Sequence, residues 1–267
     1  MFWYCIIAVF LSCIMAFVFK DYLFSHKNYI KQKLSPLTPE QKRFLSQYSF
    51  YYNQLPPKDK IEFESRLLMF VYHKHWKPGK DMPSITENQK IAIASYAAQI
   101  TFGLKVNVLQ KFKIIVLYYD QYTSLYTGKK HKGEVNLHGA IVLSWKYFEE
   151  GAKTHNDGQN LALHELAHAF FINNFSAKAF ERYAIPRKYF DQLHQMSQRI
   201  IPDLKAGKIT SLRAYASTNF QEFFACVMET FFEKPFELKK ELPELYQCMC
   251  NMLRQDPAIL YTNNLKK

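Results

Sequence analysis

The run Asp157-Gly158-Gln159-Asn160-Leu161-Ala162-Leu163-His164-Glu165-Leu166-Ala167-His168-Ala169-Phe170-Phe171-Ile172 constrains this chain more than any other. It sets His-Glu-x-x-His in an apolar stretch of good helix formers. Asp157 is a candidate cap, Gly158 follows it, and Asn173-Asn174 suits the far end. On a helix, His164 and His168 project from one face, one turn apart. That spacing lets two neutral imidazoles reach one tetrahedral zinc at about 2.0–2.1 Å each. Glu165 lies one position round, close enough to act on water at the metal without ligating it. Two histidines could instead be satisfied core residues. The small Ala167 and Ala169 beside them, which leave room at the histidine face, favour the metal.

Residues Met1 to Phe19 carry no charged side chain. As a helix the run is about 28 Å long, against a hydrocarbon core of about 30 Å. A cleaved signal peptide would want basic residues before a shorter apolar run and small residues at a cleavage site. The expectation is a retained transmembrane anchor at 1–19, a basic juxtamembrane segment at 20–35 and a single domain at 36–267. Lys20, Lys27, Lys31 and Lys33 follow the run, so the positive-inside rule puts a single-pass protein's main domain in the cytoplasm. The sparse, odd set Cys5, Cys13, Cys226, Cys248 and Cys250 suits a reducing compartment.

The chain carries 35 basic against 23 acidic residues, net +12, all beyond residue 19. A basic face resting near anionic lipid explains that balance. Nucleic-acid binding is not expected, since no helix-turn-helix, finger or RNP pattern occurs. His73 and His75, placed two apart on an expected helix, point away from each other and make a poor second metal site.

After the anchor the pattern is α+β, helices around a small mixed sheet. Thr38-Pro39-Glu40-Gln41 and Thr86-Glu87-Asn88-Gln89 read as capping boxes. Pro56-Pro57 precedes an amphipathic helix from about Lys58 to His75. Residues 113–119 and 139–145 read as strands, joined by a polar loop from Gln121 to His138. If the second strand lies at a sheet edge, an extended substrate could add along it.

Two histidines leave a catalytic zinc one protein ligand short. The extended pattern with a third histidine is absent, because Phe171 and Asn174 occupy the later positions. Glu181 and Asp191 lie nearest, but the stretch Tyr215 to Phe232 is the better source. It is apolar enough to be buried, yet holds Glu222 and Glu229 seven apart on one helical face. Glu222 could instead close a capping box with Asn219, and Glu229 could support the ligands or sit on the surface. About 10 Å of helix separates the two, so only one is expected to bind directly.

Asp157-Gly158-Gln159-Asn160 running into His164-Glu165-Leu166-Ala167-His168 resembles the motif of the Mlc titration factor A family of zinc-dependent peptidases. The likeness extends through Ile141-Val142-Leu143-Ser144-Trp145 before it, then Glu222-Phe223-Phe224-Ala225 and Glu229-Thr230-Phe231-Phe232-Glu233-Lys234-Pro235. It continues in Leu242-Pro243-Glu244-Leu245-Tyr246 and Asp256-Pro257, covering roughly residues 55–260. That family resembles the catalytic domain of anthrax lethal factor. The resemblance implies a zincin-like metallopeptidase domain, with one zinc on His164, His168 and Glu222. It implies Glu165 as general base, Tyr215 as hydroxyl donor to the oxyanion, and Glu229 as second-choice ligand or support. Cys226 departs from the lethal-factor pattern, which carries a carboxylate there. A peptide or protein is the implied substrate. A membrane-tethered regulator that binds a protein partner, such as the repressor Mlc, with a structural or weakly active zinc, is the alternative.

Overall fold

The computed structural model describes residues 35–105, 109–124, 127–175 and 185–265. The expected anchor at 1–19 and nearly all of the basic segment 20–35 lie outside them. Among the described residues no helix is long and apolar enough to cross a membrane. The chain divides into two units, Met1–Pro36 and Leu37–Lys267, and every element below belongs to the second.

Both capping boxes form. Thr38 Oγ1 accepts the Gln41 amide at 3.2 Å, and the Gln41 side chain accepts the Thr38 amide at 2.9 Å. This opens α1 (Pro39–Tyr48). Thr86 and Gln89 repeat the exchange at α4 (Glu87–Thr101). Between them run α2 (Phe50–Gln54) and α3 (Pro57–His73), the latter started by Pro57 in its first turn. Residues 91–101 of α4 are all buried, against α3, α1 and the motif helix. Ser95 Oγ and Thr101 Oγ1 donate back to the Ala92 and Ala97 carbonyls at 2.7 Å each, and Tyr96 reaches across to the Tyr48 carbonyl at 2.8 Å.

The helix expected to reach His75 stops at His73, because His75–Pro78 forms β1. Tertiary partners decide this. β1 pairs in parallel with β2 (Ile114–Tyr118), His75 opposite Ile114. Lys74 is buried, and its ammonium donates to the carbonyls of Leu109 and Phe112 at 2.8 and 2.5 Å. The expected loop from Gln121 to His138 holds a two-stranded hairpin, β3 (Tyr122–Thr123) with β4 (Lys130–His131), and then β5 (Gly133–Asn136). β6 (Ala140–Ser144) follows. The main sheet runs β1-β2-β6-β5, parallel except for β5, which is antiparallel to β6. β6 is therefore interior, as its buried Ile141 to Ser144 reflect, and the free edge on that side is β5. The condition set for substrate addition along 139–145, an edge position, is therefore not met.

Trp145 ends the strand by starting α5 (Trp145–Lys153). The motif helix α6 (Leu161–Phe175) begins later than Asp157 suggests. Asn160 is its cap, with Oδ1 accepting the Leu163 amide at 3.1 Å. α7 (Arg187–Lys205) leads to a 3₁₀ turn (Ala214–Ser217) and α8 (Phe220–Glu233). Three short helices close the unit: α9 (Pro235–Glu241), α10 (Pro243–Leu253) and α11 (Pro257–Leu265). α6 packs along α8 and over β5 and β6. Rings of Phe171, Phe175, Phe190, Phe220 and Phe224 interlock at centroid separations of 5.3–6.3 Å. Phe171, Phe175 and Phe224 are buried and Phe190 and Phe220 partly so, and at about 1.5–3 kcal/mol for each fully buried ring the cluster holds α6, α7 and α8 as one block.

Candidate metal centre

α6 carries His164 and His168 on one face, and their Nε2 atoms meet at 3.1 Å. Glu222 enters from the first turn of α8. Its Oε2 lies 3.1 Å from His164 Nε2 and 3.3 Å from His168 Nε2. Asn219 caps α8 by accepting the amides of Gln221 and Glu222 at 2.9 and 3.0 Å. The Glu222 carboxylate does not return to close a capping box but turns to the histidines. Four ligands at about 2.0–2.1 Å from a tetrahedral zinc stand about 3.3 Å from one another. The three distances match that edge, and two imidazole nitrogens with a carboxylate are the donor types of a catalytic zinc site. The residues present fit the metal.

The electrostatics agree. Burial works against charging His164, yet its hydrogen bonds to Cys226, Glu222 and Glu229 together push its imidazole up to about 12. Burial would raise Glu222, but His164 and His168 hold its carboxyl far below the usual range. The cluster is built around positive charge.

Glu229 approaches from behind. Its Oε2 accepts His164 Nδ1 at 3.1 Å and its Oε1 accepts the Asn160 amide at 2.8 Å. With a metal bound, the Nδ1 contact would keep the imidazole proton on the far side from His168 and leave Nε2 free to ligate. Arg213, just before the 3₁₀ turn, donates through Nη2 to the same Oε2. One turn further along α8, Glu233 accepts Gly158 N–H at 3.0 Å and Asn160 Nδ2 at 3.0 Å. Two acidic side chains of α8 thus grip the start of α6 by accepting from the backbone and side-chain donors of Gly158 and Asn160.

Glu165 is buried on the sheet side, and burial raises its carboxyl above the ordinary range although His164 and His168 oppose this. Its side chain lies over Gly133 at the start of β5, where an added Cβ would come within 2.6 Å of Cγ. Tyr215 is half-exposed, its ring centroid 6.0 Å from that of His164. Burial and the Glu222 carboxylate raise its hydroxyl's pKa. A cleft of about 280 Å³ opens here, lined by Lys132, Tyr147, Glu150, Arg213, Tyr215 and Glu229 among others.

The structure therefore brings together His164, Glu165, His168, Tyr215, Glu222 and Glu229, the residues singled out from the sequence. It also brings in Arg213, Gly133, Asn160 and Glu233, which sequence reasoning missed. For Arg213 a signal existed: Glu229 on an apolar helix face needs a cation, and Arg213 stands two residues before Tyr215. Gly133 and Glu233 left none, because their roles depend on which elements pack together.

The chain is similar to known proteins. The family model described as glucose-regulated metallo-peptidase M90 matches residues 24–254. An uncharacterised protein of Synechocystis sp. is 26% identical over 239 residues, covering 84% of this chain and 86% of that protein. Mlc titration factor A of Pectobacterium atrosepticum is 31% identical over 145 residues, 52% of this chain and 54% of its own length. That of Salmonella arizonae is 32% identical over 126 residues, 45% and 49% of the two chains. The chain spans about half the length of these Mlc titration factors. With a matched family model over most of its length and a helices-around-a-sheet domain that suits it, the chain belongs to the glucose-regulated metallo-peptidase M90 family, alongside Mlc titration factor A.

Proposed function

We propose that this protein is a membrane-anchored zinc-dependent peptidase with one zinc per chain, held by His164, His168 and Glu222. The observation that carries the reading is the convergence of those three ligand atoms at 3.1–3.3 Å beside the buried Glu165. Zinc, when bound, supplies Lewis acidity that activates water and polarises a carbonyl oxygen. Glu165 takes the proton of the attacking water and later returns it to the leaving amine. Its raised pKa brings that exchange closer to neutral pH. Tyr215 donates its hydroxyl hydrogen to the oxyanion. Glu229 holds His164 in the ligating tautomer. The free edge of β5, which begins at Gly133 beneath Glu165, offers main-chain donors and acceptors to an extended peptide.

A second reading draws on the printed name of the relatives. The relatives' name, Mlc titration factor A, points to an interaction with Mlc, and on that reading this chain is a tethered binding protein whose metal site is structural. Glu165 favours catalysis, because a purely structural zinc has no use for it.

Metal analysis and a peptidase assay on the same preparations test the proposal. The wild-type protein should carry about one zinc per chain. His168→Ala should lose it. Glu165→Gln should retain it while losing about 10²–10⁴-fold in rate. Glu222→Ala should empty the site more fully than Glu229→Ala. Metal-free wild-type protein that cleaves peptides at the full rate would overturn the reading.

A further inference from the structure

We propose that Arg213 is a positioning residue for the metal site, acting through Glu229 to hold the ligating face of His164. The inference rests on the zinc reading above and assigns a role to a side chain outside the ligand set. Glu229 is 1% exposed and receives three donors: the Asn160 amide, His164 Nδ1 and Arg213 Nη2. Two of them converge on Oε2, which is why Arg213 Nη2 and His164 Nδ1 approach to 3.4 Å although both are donors. Arg213 alone of the three carries a charge that never deprotonates. Cys226 Sγ, which the guanidinium also meets at 3.5 Å, supplies no positive charge. A buried carboxylate without its cation is costly, so Glu229 keeps its place behind His164 only while the guanidinium is there.

The backbone delivers Arg213 to this point. The Arg213 carbonyl accepts the Ala216 amide at 3.0 Å to start the 3₁₀ turn. The amides of Thr210 and Ser211, just upstream, donate to the Glu241 carboxylate at 3.0 and 2.7 Å. One anchored segment thus presents Arg213 to the back of His164 and Tyr215 to its front. A lysine would carry the charge but not the planar guanidinium, whose Nη2 meets both Oε2 and Cys226 Sγ.

The test compares full-length wild type, Arg213→Met and Arg213→Lys for zinc retention against a competing chelator, with thermal unfolding of the metal-free proteins. Arg213→Met should bind zinc about 10–100-fold more weakly, the usual effect of losing a group that orients a ligand. A merely structural role would lower metal-free stability and leave the affinity of the folded protein unchanged, and that result overturns the proposal. If the methionine variant does not fold, Arg213→Lys carries the test. It should hold zinc more weakly and shift the visible bands of the cobalt-substituted protein, whereas wild-type affinity with wild-type bands overturns the proposal. Wild-type protein that binds no zinc would instead remove the metal reading itself.

Discussion

Four glutamates crowd the two central helices, and their surroundings give each a different task. Glu222 faces two histidines, Glu165 lies over a glycine, and Glu229 meets an arginine. Glu233 pairs with no cation among the described residues. Burial pushes its carboxyl up to about 8, helped by Glu229 and Asp157 and opposed by hydrogen bonds from Asn160 and Gly158. Its folded pKa stands above the unfolded value near 4.5, so its contribution to stability is complete below that value. It is lost as pH rises from there through about 8. Melting of the metal-free protein between pH 5 and 8 should therefore show a decline that Glu233→Gln flattens. The glutamine lacks one acceptor and should melt lower at pH 5, by about 2–4 °C. Parallel profiles for the two proteins would refute the assignment.

At the scale of elements, the decisive contact is β5 against α6. An alanine Cβ at Gly133 would sit 2.6 Å from Glu165 Cγ and 2.7 Å from Oε1. The atoms it meets belong to one flexible side chain, so Glu165 yields before the strand does. Gly133→Ala should cut peptidase activity about 10²-fold, the cost of a misplacement of about 1 Å. Zinc content should stay at the wild-type level and the melting temperature should barely move. Full activity in this variant would mean that Glu165 does not act from the position seen here. The aromatic block between α6, α7 and α8 makes the opposite kind of contact, broad and apolar, and it sets the distance at which Glu222 meets the histidines.

For the whole molecule, the proposed membrane anchor makes a prediction about topology. The uncharged run of residues 1–19 and the lysines after it lead to the proposal of a cytoplasmic domain. The net charge of +12 fits a surface beside anionic lipid, where each well-placed basic residue adds about 1 kcal/mol. Cys226, Cys248 and Cys250 are buried free thiols, compatible with a reducing compartment. Protease added outside sealed cells should leave residues 20–267 intact and digest them after permeabilisation. Digestion in intact cells would place the domain outside.

Local pattern was enough wherever a residue's partners lie within a turn or two of it. The capping boxes at Thr38 and Thr86, the i, i+4 pairing of His164 with His168 and the candidacy of Glu222 and Glu229 all follow from helical spacing. The cap at Asn160 in place of Asp157 was decided by α8, whose carboxylates Glu229 and Glu233 seize the residues before the helix. The strand at His75 was decided by pairing with β2, and the edge at β5 by the order in which strands joined the sheet. The choice between Glu222 and Glu229 is of the same kind. The two sit on one helical face, and only the packing of α8 on α6 turns the first toward the Nε2 atoms and the second toward Nδ1. Spacing along a chain sets which side chains share a face. What that face meets depends on apolar burial between elements far apart in sequence, and no local pattern encodes it.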